Sequence, residues 1–75
     1  MKEYLYKGYR IVRWDEEKIL LENCGWKTET TKRRMNRASM DNRLGFRVYQ
    51  KNWKWYADFK GRTIPFEGGT LLLDR

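Results

Sequence analysis

Across residues 44–66, apolar side chains fall on alternate positions, and the alternation keeps its phase through two short turn signals. This constrains the fold more than any other feature, because successive side chains on a β-strand point to opposite faces. With Lys51-Asn52 as a two-residue hairpin loop, Val48 faces Trp55, Phe46 faces Ala57 and Leu44 faces Phe59, all apolar and on one side. Arg47 then faces Tyr56 on the other side, and Tyr49 faces Lys54. A second tight turn at Lys60-Gly61 sets Ala57 opposite Ile64 and Trp55 opposite Phe66. A one-residue slip would mix the two sides, so the pattern predicts a three-strand meander with one apolar and one polar face. It also predicts that Trp53 and Trp55 are both core. Pro65 has no backbone N–H, which puts the third strand at a sheet edge.

The rest of the chain supplies one helix and a few strands. Residues 28–42 form the helix candidate, with Thr28 or Thr30 able to cap its free N–H groups. At about 100° per residue, Thr31, Met35 and Ala38 share one face, Arg33, Arg34 and Arg37 lie opposite, and Gly45 ends the element. Residues 3–22 read as two or three strands joined at Lys7-Gly8 and at the polar run from Asp15 to Lys18, with the pairing register left open. Gly68-Gly69 marks a turn before a short apolar strand at residues 71–73 with a frayed end. Trp14 and Trp26 have no assignable place. The expected architecture is a single α+β domain over residues 1–75. It is a small, mostly antiparallel sheet of about five strands, with one helix packed across its apolar side.

A chain of this size supports only a modest core, and small domains often add disulfides or metals. Cys24 is the only cysteine and there is no histidine. An internal disulfide and a His/Cys zinc site are therefore excluded. Four Trp, five Tyr and three Phe must carry the packing instead. The missing histidine also removes the commonest general base and the usual activator of a Ser or Cys nucleophile. Cys24 reads as a small, buried or partly buried residue, and Asp15, Glu16 and Glu17 as a solvated loop. Gly68-Gly69 lacks the rest of a phosphate-cradling loop. A non-enzymatic protein without cofactor, metal or small-molecule substrate is expected. No apolar run reaches the length of a signal peptide or a membrane span, so the expected location is the cytoplasm.

The net charge of +7 is concentrated in the middle of the chain. Residues 27–62 hold eleven basic residues against Glu29, Asp41 and Asp58, while residues 1–26 balance to zero. Such asymmetry favours a polyanionic partner. Two surfaces compete for it. The polar side of the meander is expected to carry Arg47, Tyr49, Lys51, Lys54, Tyr56, Lys60 and Arg62, with Asp58 the only acid. Aromatics interleaved with cations on an open sheet suit single-stranded nucleic acid: bases stack while cations follow the phosphates. The same pairs could simply stabilise neighbouring strands. The second surface is the start of the helix, where Lys32, Arg33 and Arg34 in the first turn oppose the helix dipole unless an anion binds there, with Arg37 following.

The strings Thr-Thr-Lys-Arg-Arg-Met-Asn at 30–36, Gly-Phe-Arg-Val-Tyr-Gln at 45–50, Trp-Tyr at 55–56 and Ile-Pro-Phe at 64–66 resemble short, uncharacterised proteins of tailed bacteriophages. The resemblance covers about half the chain. It implies a protein made in the cytoplasm of an infected bacterium, where such proteins bind host enzymes, defence machinery or nucleic acid. Nucleic-acid binding, RNA or DNA, is one expectation. A protein-binding inhibitor or adaptor acting on an acidic host surface is the other, since Arg and Tyr are enriched at protein interfaces too. An assembly component joined through an exposed edge near Pro65 or Leu71 is a third.

Overall fold

The computed structural model describes residues 1–25 and 28–75. Eight elements follow in order: β1 (Lys2–Tyr6), β2 (Tyr9–Trp14), β3 (Lys18–Glu22), α1 (Glu29–Asn42), β4 (Phe46–Lys51), β5 (Lys54–Phe59), β6 (Arg62–Pro65) and β7 (Thr70–Asp74). The domain is α+β and antiparallel throughout, but the expected single sheet is two sheets. One has the order β1-β2-β3-β7 and the other β4-β5-β6. On the β4 side, α1 occupies the free edge of the second sheet, so no strand of the first sheet joins there. β7 instead pairs with β3 from Lys18↔Asp74 to Glu22↔Thr70. Its end is anchored rather than frayed, because Arg75 N–H donates to the Glu17 carbonyl and its guanidinium to the Asp15 carbonyl.

Local chemistry explains the first sheet. Lys7 and Gly8 both have positive φ, +50° and +80°, as a type I′ hairpin turn requires. At the second turn the Asp15 carboxylate accepts from the backbone N–H groups of Glu17 and Lys18, each at 2.8 Å. Between Tyr4↔Val12 and Leu5↔Arg10 the register shifts, so Ile11 is an extra residue in β2. That bulge lets Ile11 and Val12, adjacent in sequence, both be buried. Trp14, Ile19, Leu21 and Leu73 fill the inner side.

The helix is capped as residues 28–42 suggest, with Thr28 Oγ1 accepting from Thr31 N. It ends on Arg43 in the left-handed region, where the Arg43 and Leu44 N–H groups return to carbonyls of the last turn. Thr31, Met35 and Ala38 are fully buried. A second stripe, at 32, 36 and 39, turns toward β4. Lys32 Nζ donates to Gln50 Oε1 at 2.9 Å. The Asn36 amide donates to Val48 O at 2.9 Å and accepts from Val48 N at 2.7 Å. Ser39 Oγ donates to Phe46 O at 2.8 Å and accepts from Phe46 N at 3.1 Å. The helix thus runs along the edge of β4 and completes its backbone hydrogen bonds with side chains, instead of lying across the sheet. It also touches β1 and β2, bridging the two sheets.

In the second sheet Pro65 does lie on an edge strand, and the β5–β6 register, Ala57↔Ile64, is the expected one. The β4–β5 register is not. Val48 faces Ala57, Phe46 faces Phe59 and Tyr49 faces Tyr56, because the loop is Asn52-Trp53 rather than Lys51-Asn52. Both loop residues have positive φ, +53° and +68°. Asn tolerates the left-handed region, so it suits the first position of a type I′ turn. The change moves each pairing by two residues, and two is the period of a strand. The faces therefore survive: Phe46, Val48, Trp55, Ala57 and Phe59 are all buried. Trp53 is the exception. It sits in the turn and is 91% exposed, where the core was expected.

Candidate nucleic-acid interface

The outward face of the β4-β5-β6 sheet is built in rows of opposed residues. Lys51 faces Lys54, Tyr49 faces Tyr56 and Arg47 faces Asp58. Arg47, Lys51 and Lys54 are exposed, whereas the two tyrosines and Asp58 are half-buried. The tyrosine rings stack with centroids 5.8 Å apart at 27°. The Arg47 guanidinium lies 6.0 Å from the Tyr49 ring centroid. Asp58, the one acid of the face, accepts from the Tyr49 hydroxyl at 3.2 Å and the Thr63 hydroxyl at 2.9 Å. Lys51 opposite Lys54 places two like charges where strand neighbours repel, a mildly destabilising arrangement.

Two of the expected face residues sit elsewhere. Arg62 pairs with Phe59, so by strand parity it belongs to the inward side, where it emerges at the rim near Leu72, Leu73 and Asp74. Lys60 lies in the tight turn, its ammonium 5.4 Å from the Phe59 ring centroid.

The helix surface is less available than its composition suggests. Lys32 is buried, 7% exposed, and contacts Glu29 as well as Gln50, with the Trp55 ring centroid 5.5 Å away. Its ammonium is thus engaged within the fold. With Thr28 as cap, the first turn carries the acid Glu29, and Arg33 and Arg34 fall in the second turn. The expected conflict with the helix dipole is therefore reduced to Lys32, whose ammonium is paired with Glu29. Lys32 in turn holds the Glu29 carboxyl below its ordinary range. Arg37 pairs with Asp41 at 2.9 Å, and Arg34 lies 5.7 Å from the Tyr6 ring centroid. Arg33, Arg34 and Arg37 are exposed, but two of the three have partners within the fold.

At the end of the sheet a groove of about 310 Å³ opens beside the hairpin tip. Trp55 and Phe66, in edge-to-face contact at 5.5 Å, are among its lining residues, along with Trp53, Lys54 and Gln50. The Gly68-Gly69 turn, with φ of +70° and +81°, is also part of its lining. Sequence reasoning missed this groove because it placed Trp53 inside. The available signal was Asn52, whose fitness for the first type I′ position moves the loop by one residue.

One other expectation is corrected. Cys24 is exposed rather than buried, in a turn with positive φ. Partial desolvation, reinforced by the charge of Glu22, pushes its thiol up from the ordinary value. Ser39 has its hydroxyl committed to the Phe46 backbone. Trp14 is core, while Trp26 lies outside the described residues. Among the described residues, no His, Cys, Asp or Glu groups gather in a way that could hold a metal ion. No helix among them is long and apolar enough to cross a membrane.

Residues 2–72 match the model of the family described as Kyanoviridae Gp96 protein, and the chain belongs to that family. The tailed-phage resemblance carried by segments between residues 30 and 66 thus extends over nearly the whole chain. No curated protein and no solved structure matches it.

Proposed function

We propose that this phage protein is a non-enzymatic binder of single-stranded nucleic acid in the cytoplasm of the infected cell, acting through the outward face of β4 and β5. One observation carries the reading. Lys51 stands directly opposite Lys54 beside a stacked tyrosine pair, on a face whose single carboxylate is already engaged by two hydroxyls. Opposed lysines cost stability unless an anion lies between them, and a phosphate backbone supplies one at each nucleotide. Tyr49, Tyr56 and Arg47 offer ring and guanidinium planes to bases.

The helix is the weaker partner in this reading, given the burial of Lys32 and the internal contacts of Arg34 and Arg37. The absence of histidine, the raised Cys24 thiol and the engaged Ser39 hydroxyl support binding rather than catalysis.

The test is fluorescence anisotropy with short single-stranded DNA and RNA, starting at about 50 mM salt, a condition under which phosphate contacts dominate. The wild type binds, and affinity falls as salt rises. The Lys51→Gln/Lys54→Gln variant binds more weakly, with a log–log salt slope flatter by about 1.4, or about 0.7 for each lost phosphate contact on a single strand. Failure to bind either strand at low salt would overturn the proposal. A stoichiometric protein captured from nuclease-treated lysate would then assign the basic face to an acidic protein surface.

A further inference from the structure

Trp53 breaks two local rules at once. The second position of a type I′ turn favours glycine, yet it holds the bulkiest side chain there is, at φ +68°. That side chain is then left 91% exposed at the tip of a hairpin. Backbone strain at a surface residue is a reason to look for a ligand when the surroundings form a site. Here they do. The groove beside the tip holds about 310 Å³, at the small end of the range for ligand sites. Trp55 and Phe66 line it with aromatic surface, while Gln50 and Asn23 add amide groups. Of the Gly68-Gly69 pair, Gly69 is packed close to the Asn23 side chain: a Cβ there would meet Asn23 Oδ1 at 3.1 Å.

The place where this groove meets the basic face points to its occupant. Lys54 lines it and also belongs to the Lys51/Lys54 pair of the outward face, so the groove and the basic face meet at that residue. Among the described lining residues Lys54 is the one cation and Glu67 the one acid, so the positive charge for a phosphate comes from the adjoining Lys51/Lys54 face. A ligand that suits all of this is planar and aromatic, has polar edges and is tethered to phosphate. We infer that Trp53 and the groove beside it capture one unpaired base at the end of a bound single strand, stacked on the indole, while Lys51 and Lys54 hold the adjoining phosphates.

The inference rests on the proposed nucleic-acid reading, and the experiment separates the two. An eight-nucleotide deoxythymidine oligomer and an abasic deoxyribose-phosphate oligomer of the same length are titrated against wild type, Trp53→Gly and Trp53→Phe. Stacking of a single base predicts that Trp53→Gly binds the thymidine oligomer about 5- to 150-fold more weakly than wild type, with Trp53→Phe in between. The salt slope stays unchanged, because no cation is lost. On the abasic oligomer the three proteins bind alike. Equal binding of the thymidine oligomer by wild type and Trp53→Gly would overturn the inference while leaving the sheet-face function standing. So would an equal loss on both oligomers, which would show that Trp53 acts through the fold. Failure of the wild type to bind either oligomer removes both proposals.

Discussion

Replacing Ser39 with alanine sets two physical arguments against each other with opposite signs. Helix propensity alone says that alanine is better in mid-helix, by up to about 0.5 kcal/mol. The structure says that Ser39 is 4% exposed and that its hydroxyl serves both the N–H and the C=O of Phe46, at 3.1 and 2.8 Å. Phe46 is itself buried, so alanine would leave a buried donor and a buried acceptor without partners. Each orphaned group costs about 1–3 kcal/mol, and for the two together, after the propensity gain, a net loss of roughly 1.5–5.5 kcal/mol remains. That approaches the whole net stability of about 3–5 kcal/mol expected of a domain this small. Thermal unfolding followed by circular dichroism should show the midpoint of Ser39→Ala falling by roughly 5–40 °C. Met40→Ala is the control: Met40 is 77% exposed on the same helix, and its replacement should change stability by less than about 0.5 kcal/mol. A Ser39→Ala protein as stable as the wild type would refute the edge-capping account of how α1 is held against β4.

Two further outcomes follow from the geometry. Trp53→Gly relieves left-handed strain of about 1–2 kcal/mol against a comparable entropy cost and little lost burial, so its stability should stay within about 1 kcal/mol of wild type. Trp55→Phe, two positions on but buried against Phe66, should lose about 1–3 kcal/mol; urea midpoints showing Trp53→Gly as the more damaging change would place Trp53 in the core after all. The Asp15 carboxyl is held below its ordinary value of 3.8, first by the Glu17 N–H and then by that of Lys18. Its stabilisation is therefore complete above that value and is lost as pH falls through the lowered one. Asp15→Asn keeps an acceptor but cannot titrate, so the wild-type midpoint should drop more steeply than the variant's below about pH 4; parallel curves would remove Asp15 as a source of acid sensitivity.

Much of the fold was legible locally. Turn chemistry at Lys7-Gly8, Asp15 and Lys60-Gly61 placed three reversals, and the Thr28 cap with the 31/35/38 stripe placed the helix. The inward and outward sides of the meander were legible too, apart from Arg62 and Trp53, since strict alternation encodes face. Alternation has a period of two, however, so it cannot distinguish pairings that differ by two residues. Lys51-Asn52 and Asn52-Trp53 preserve the same faces, and that degeneracy hid Trp53, the exposed ring on which the groove depends.

What the sequence by itself determined is therefore what depends on neighbours along the chain: the turns other than the one between β4 and β5, the helix with its cap, the apolar phase of the meander strands, and the concentration of positive charge between residues 27 and 62. Tertiary structure decided the rest, namely that β7 pairs with β3, that two sheets form instead of one, and that Lys32 is buried. The physical reason is that the backbone of β4 must have its outer hydrogen bonds met. Asn36 and Ser39 meet them only once a helix is docked along that edge, which a reading of residues in order does not show.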